Sequence, residues 1–447
     1  MNYNFLKVEE LKELSDIYKW LKKRDSKVSP SIEKKVSKIL RKVRIYGDKA
    51  IVKLCRKFDG LNIKNIDEIK VKKEEIKEAY KWVLKTYPEL VEALDISYKN
   101  IKSYHNIQLE KEPDSWVSHP AKGKKIGQIL LPIERVGIYI PGGRYIYPSS
   151  VLMTVVPAAV AGVKEITMCT PPGKDGNISK ILLYLCARLG VSGVYKIGGA
   201  QAIAVMAYGT DSIKKVDKIV GPGNVYVTTA KKNVFGVVGI DSLAGPSEIV
   251  ILADYSANPD FIAADLISQA EHDPDSRSIL LSTNEDIAKK VIGKIYKQLG
   301  NLEKDYSSRA NIKIILESLK RNCKIIYNKD KNFIIEICNR IAPEHLEIMM
   351  KDADDILKDI KNAGAIFIGD YTPTAVGDYI GGTNHVIPTN GCARFSSPLG
   401  VYDFYKRSSI LSYDYKMLEK ERKYIEILSD FEKLAAHRNS IKVRFKK

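Results

Sequence analysis

Apolar positions along the chain lose their helical period after residue 106. Before it, they recur at helical spacing. Ser29-Pro30, a cap followed by proline in the first turn, opens a helix carrying Val36, Ile39, Leu40 and Val43 on one face. Gly47-Asp48 interrupts it, Ala50 to Phe58 resumes it, and Asp59-Gly60 ends it. Residues 73–106 are again helical and charged. Residues 1–28 predict short polar helices with one tryptophan, Trp20, forming an arm that packs elsewhere on the protein. From Trp116 to Leu131 the pattern is mixed, with Gly123 and Gly127, and predicts short strands.

From Arg135 onward, apolar runs of strand length alternate with helical patterns. Strands are predicted at Val136–Ile140, Glu165–Thr170, Gly193–Ile197 and Lys218–Val220. Each ends in a glycine-containing turn: Pro141-Gly142-Gly143, Pro171-Pro172-Gly173, Gly198-Gly199-Ala200-Gln201 and Gly221-Pro222-Gly223-Asn224. A helix follows from Ser149 or Ser150, another from Ile178 to Leu189. A second unit repeats the rhythm: strand Glu248–Ala253, helix Pro259–Glu271, strand Ser278–Leu281, helix Ile287–Leu299, helix Asp352–Lys361 and strand Ala365–Ile368. Alternating β and α predicts an α/β fold with parallel sheets. Ligands in such sheets bind at the carboxyl ends of strands, where glycines admit phosphates and helix N-termini favour negative charge. No turn reads G-x-G-x-x-G. Gly369 to Asn390 predicts a long loop without an element of its own, and such loops are commonly functional. Tyr402 to Arg438 predicts tyrosine-rich, charged helical segments.

Composition refines this picture without redirecting it. The 447 residues exceed what one core usually supports, so two or more domains are expected. The formal charge of +18 raises a nucleic-acid reading. The basic residues, however, are mostly lysines scattered along helical faces, with no zinc finger, Arg-rich block or RNA-binding motif, which favours a solvated surface. The six cysteines form no C-x-x-C pair and sit mostly in apolar runs, as buried thiols in a reducing cytoplasm do. The longest apolar run, Val151–Val163, contains Pro157 and is too short to span a bilayer, so a soluble cytoplasmic protein is expected.

Candidate chemistry lies with four of the six histidines. Gln269 and His272 share one face at the end of helix Pro259–Glu271, where Pro274 stops the pattern. A polar pair there can bind metal or substrate, or be a solvated helix end. Glu344-His345 in APEHLE pairs two bases of different strength, and Pro343 provides the turn that sharing one site requires. His385 follows Asp378 across two glycines. Glu432 and His437 lie about 140° apart on a regular helix, so meeting one ligand requires fraying near Ala436. His105 and His119 lie in polar stretches without a signal. Imidazole and carboxylate suit zinc, whereas glutamine is an uncommon ligand.

Taken together, the motifs YIPGG (Tyr139–Gly143), GGAQAIA (Gly198–Ala204), GPGN (Gly221–Asn224), AGPSE (Ala244–Glu248), SQAEHDPDS (Ser268–Ser276), APEHLE (Ala342–Glu347), GDYIGGTNHVIPT (Gly377–Thr389) and AAHRNS (Ala435–Ser440) resemble the histidinol dehydrogenase family. The resemblance runs from about Val36 to Arg438. It implies a zinc enzyme, one ion per subunit, oxidising L-histidinol to L-histidine through L-histidinal in two NAD-dependent steps, the last of histidine biosynthesis. It puts the metal ligands at Gln269, His272, Asp378 and His437, the last from the neighbouring subunit of a homodimer. The acid–base pair falls on Glu344 and His345. Substrate contacts fall on Ser247, His385 and Glu432, together with the ligands and His345. Cofactor contacts fall on Tyr139, Gln201 and Asn224. No nucleic-acid or membrane partner is implied. The implied architecture is two Rossmann-like parallel-sheet domains and a small helical dimerisation region from the two termini. The expected bounds are an arm at 1–33, a zinc-bearing domain at 34–134 with 248–398, an NAD-side domain at 135–247, and a tail at 399–447 reaching the partner. One departure is Ile126, at the position where many members carry a cysteine, which argues against a covalent thiol mechanism. Cys169 reads as core.

Overall fold

A computed structural model describes residues 4–11, 13–17, 21, 28–142, 145–304 and 309–446. Trp20 of the expected arm and Gly143 of the first glycine turn lie outside the described residues.

The strands in chain order are β1 (Val8–Glu10), β2 (Trp116–Ala121), β3 (Lys124–Pro132), β4 (Arg135–Tyr139), β5 (Glu165–Thr170), β6 (Gly193–Lys196), β7 (Lys218–Val220), β8 (Gly239–Ile240), β9 (Glu248–Ala253), β10 (Arg277–Ser282), β11 (Cys323–Tyr327), β12 (His345–Met349), β13 (Ala365–Ile368) and β14 (Tyr405–Tyr413). They form a parallel six-stranded sheet, β1-β11-β10-β9-β12-β13, and a parallel five-stranded sheet, β6-β5-β4-β7-β8. A third sheet, β14-β3-β2, is antiparallel.

Two compact units emerge, residues 1–109 with 134–404, and residues 110–133 with 405–447. The first holds both parallel sheets. Strands β9 and β10 are buried at every position, as expected when helices cover both faces. Their residues alternate between two cores. Ile249, Ile251 and Ala253 pack with helix Pro259–Glu271, while Val250 and Leu252 pack with helix Lys331–Ile341.

The helix opening at Ser29 spans Pro30–Leu54 and is broken within by Gly47, at φ 47° and ψ −128°. It buries Val36, Leu40, Val43, Ala50, Ile51 and Leu54. Its apolar stripe joins the core around Ile203 and Val227, beside the five-stranded sheet. Residues from 34 onward were expected with the six-stranded sheet. A helical stripe does not by itself specify which sheet it covers.

The second unit corrects another expectation. Tyr405–Tyr413, predicted helical, is a strand pairing with β3 from Tyr405↔Pro132 to Tyr413↔Lys124. Its two tyrosines and Ile410 fit a pleated edge only weakly, and pairing along its whole length overrides the charge pattern. The tail contains helices Tyr415–Phe431 and Ala435–Lys442. Among the described residues, no helix is long and apolar enough to cross a membrane.

Candidate active site

Strands β9 and β12 run side by side, His345 facing Ile249 in register. Helix Lys331–Ile341 ends at Ala342, which takes a left-handed φ of 49°, and Pro343 follows. The chain thereby enters β12 through a turn, and the buried side chains of Glu344 and His345 come within 3.6 Å of each other. Gly364 permits this, since a Cβ there would lie 2.6 Å from the Glu344 carbonyl oxygen.

One residue of β9 holds both bases through its peptide groups. The N–H of Glu248 donates to Glu344 Oε2 at 2.8 Å, and its carbonyl oxygen lies 3.1 Å from His345 Nδ1. A carbonyl only accepts, so Nδ1 carries the proton and Nε2 holds the lone pair. That Nε2 is buried without a partner. Burial, aided by the charges of His272 and His385 and opposed by the Glu248 carbonyl, lowers the His345 pKa to about 3. Glu344 Oε2 lies 3.6 Å from His345 Nδ1. Burial raises Glu344 well above its ordinary value, with the Glu248 and Asp378 charges adding; hydrogen bonds from the Glu248 N–H and the Ser247 hydroxyl oppose this. The Glu248 carboxyl itself pairs with Arg277 at 3.4 Å, and Arg277 donates to Asn390 Oδ1 at 2.8 Å.

Opposite these bases stand the end of helix Pro259–Glu271 and a short helix, Thr374–Tyr379. That short helix lies inside the stretch expected to be a structureless loop. Glu347, from β12, accepts the N–H and hydroxyl of Thr374 and so caps its first turn; this tertiary contact is invisible in local sequence. The helix carries Asp378, whose pKa burial raises to about 6. His385 Nδ1 donates to the Asp378 carbonyl at 3.2 Å, and Nε2 meets Ser150 Oγ at 3.3 Å. His385 falls to about 4, chiefly by burial. The Gln269 side chain is buried and its Nε2 has no partner. His272 keeps an accessible edge, yet the protein crowding it lowers its pKa.

An amide with an orphaned atom, an imidazole and a carboxyl raised by desolvation make a donor set that fits zinc. It is an incomplete one. Among the described residues, no three His, Cys, Asp or Glu side chains stand ready to hold a metal.

On the five-stranded sheet, strand order reverses between β4 and β7, the position at which open parallel sheets take nucleotides. Tyr139 ends β4 and Asn224 closes the turn after β7, where its side chain caps helix Val225–Val234. Tyr139 OH accepts the Gly199 N–H at 3.1 Å, and Gln201 Nε2 donates to Asp59 Oδ2 at 3.0 Å. Two of the glycines in these turns serve the protein's own packing. A Cβ on Gly221 would strike the Tyr139 carbonyl oxygen, and one on Gly198 would lie 2.7 Å from Asp59 Oδ1.

The family model for histidinol dehydrogenase matches residues 22–445. The chain belongs to the histidinol dehydrogenase family. It is 47% identical over 426 residues to the histidinol dehydrogenase of Clostridium acetobutylicum, covering 95% of each chain. It is 46% identical over 434 residues to that of Bacillus cereus, covering 97% of each. The crystal structure of histidinol dehydrogenase from Elizabethkingia anophelis superposes with a TM-score of 0.89 at 34% identity, over 99% of both chains. Membership makes the chain an oxidoreductase, and the α/β architecture read from its alternating pattern is that of the family.

Of the residues the family resemblance singles out, Ser247, Glu344, His345, Asp378, His385 and His272 act on one another through the hydrogen bonds and charges above, with Gln269 one turn before His272. Glu432 and His437 belong to the second unit and are exposed there. They do not share one helix, frayed or otherwise. Glu432 ends the first, Lys433 turns at φ 58°, and His437 lies on the next. Four participants escaped sequence reasoning. Asp59 read as a helix stop, yet it accepts both Gly198 N–H and Gln201 Nε2. Ser150 read only as a helix start. Glu248 read as the first residue of a strand. His105, placed in a polar stretch, is fully buried and paired with Gln108 and Asn384, next to His385. None of the four carries a local signal, because the contact that ties each to the site spans 96 or more positions of chain.

Proposed function

We propose that this member of the family oxidises L-histidinol through L-histidinal to L-histidine, with NAD as oxidant and one zinc ion per subunit. The observation that carries this reading is the fixed tautomer of His345: Nδ1–H bound to the Glu248 carbonyl, Nε2 buried and free, and the Glu344 carboxyl alongside.

Gln269, His272 and Asp378 would hold the metal, with His437 of the partner subunit in a homodimer as the fourth ligand. Zinc, when bound, supplies a Lewis-acid anchor for the substrate's nitrogens and so orients the reacting carbon. NAD, when bound, supplies the hydride acceptor, and Tyr139, Gln201 and Asn224 at the switch point would contact it. Ser247, His385 and Glu432 would complete the substrate contacts.

Burial keeps His345 neutral, so Nε2 is ready to take the hydroxyl proton in each of the two oxidations. Glu344 takes a proton from the water that adds to the aldehyde, giving the diol that His345 deprotonates again. The two bases divide the work because burial pushes their pKa values in opposite directions. Purified enzyme supplied with histidinol and NAD should form NADH, lose that activity to a chelator and recover it with zinc. A folded preparation that forms no NADH with zinc restored would overturn the reading.

A further inference from the structure

We propose that Asp265 and Glu347 form a proton-sharing carboxyl pair that positions Gln269, His345 and Asp378. The proposal rests on the zinc reading above, because two of the three side chains it aligns are expected metal ligands.

The pair joins the three elements that carry Gln269, His345 and Asp378. Asp265 lies in helix Pro259–Glu271, one turn before Gln269. Glu347 lies in β12, two residues beyond His345 and therefore on the same face of the strand. Thr374 opens the short helix Thr374–Tyr379, one turn before Asp378. Glu347 Oε1 accepts the Thr374 N–H at 2.9 Å and its hydroxyl at 3.1 Å. The Asp265 carboxyl lies against Glu347. The cluster thus sits one structural repeat behind each of the three side chains, and fixes the separation of the elements that present them.

The chemistry of the pair is set by its surroundings. Glu347 is 1% exposed. Its Oε2 is buried and has no settled hydrogen-bond partner, although Asp265 is alongside. Two buried carboxylates side by side repel, and one proton between them converts the repulsion into a hydrogen bond. Burial and the Asp265 charge raise Glu347, and burial raises Asp265 as well, so the pair holds one proton between its two carboxyls. The arrangement parallels the groups that orient metal ligands from behind.

The test is zinc release from the full-length enzyme, read with a chromogenic chelator, alongside thermal melting. Partners behind a metal site are typically worth about 10- to 100-fold in affinity. Glu347→Ala and Asp265→Ala should weaken zinc retention by that order. Glu347→Gln should retain zinc close to the unaltered protein, because its amide keeps the acceptor for Thr374 and donates to Asp265 permanently. Should either alanine variant fail to fold, Thr374→Val carries the same measurement, since it removes only the hydroxyl bond and should weaken retention by less. Glu347→Gln releasing zinc as fast as Glu347→Ala would overturn the shared proton. Alanine variants or Thr374→Val that hold zinc unchanged would overturn the positioning role. Two metal ions per subunit in the unaltered enzyme, both lost in Glu347→Gln, would replace the proton by a cation. Absence of zinc binding by the unaltered enzyme would sink the metal reading itself, which the other outcomes leave standing.

Discussion

The replacement of Glu344 by glutamine separates the two half-reactions. Glu344 Oε2 accepts one hydrogen bond at 2.8 Å from the Glu248 N–H. A glutamine carbonyl accepts the same bond, so the turn into β12 should keep its path. What is lost is the ability to take a proton. A positioned general base is worth about 10²- to 10⁴-fold. At about 1.36 kcal/mol per tenfold, that is about 2.7–5.4 kcal/mol on the barrier for adding water to the aldehyde. Oxidation of the alcohol needs only His345, whose Nε2 is untouched. With histidinal supplied as substrate, the variant should therefore be slowed by that factor. With histidinol, its first NADH per site should form at nearly the unaltered rate. The pH profile gives an independent sign. The raised Glu344 pKa means that its carboxylate accumulates only as pH rises, so the aldehyde step of the unaltered enzyme should accelerate with pH, and the variant should lose that limb. Equal slowing of both half-reactions, or an unchanged pH profile for histidinal, would remove the assigned role.

Three further outcomes follow from the geometry. Subunits carrying His437→Ala mixed with subunits carrying His345→Ala should recover activity in hybrid dimers, each pairing containing one intact site; hybrids shown to form but remaining inactive would count against a shared site. The His345 pKa falls from about 6.5 unfolded to about 3 folded, so the unfolded state takes up the proton first as pH drops. The metal-free protein should thus lose stability between about pH 6.5 and 3, by up to about 5 kcal/mol. His345→Gln should flatten that part of the urea-midpoint profile, and identical profiles would contradict the burial argument. Gly364→Ala places a methyl group against the Glu344 carbonyl. It should cost about 1–3 kcal/mol in chemical denaturation and reduce turnover, whereas Gly300→Ala, in open space, should do neither.

What could be read before the structure follows a physical divide. Parallel strands rich in apolar residues announce themselves as short runs of strand length, so Glu165–Thr170, Glu248–Ala253 and Ala365–Ile368 carry the bounds predicted for them. Helix Pro259–Glu271 also matches, with Asn258 capping one end and Gln269 and His272 at the other. Elements stabilised from a distance were not legible. Thr374–Tyr379 is a helix because Glu347 reaches its first turn, and Tyr405–Tyr413 is a strand because β3 lies beside it. The same holds for chemistry. Periodicity placed Gln269 and His272 on one face but could not distinguish a metal site from a solvated helix end. Residue chemistry marked Glu344 and His345 and motif resemblance gave them roles, but which nitrogen of His345 bears the proton depends on a carbonyl 97 positions away.

That carbonyl belongs to the same residue whose N–H holds Glu344, so a single stretch of main chain sets the spacing of both bases. Main-chain groups are common to every amino acid except proline, which lacks the N–H. Ordinary substitutions at position 248 can disturb the Arg277 pairing beneath the strand, yet none deletes either bond to the bases. Proline alone would remove the donor to Glu344 while leaving the acceptor for His345. The spacing of the acid–base pair is thereby insulated from side-chain variation at the position that defines it.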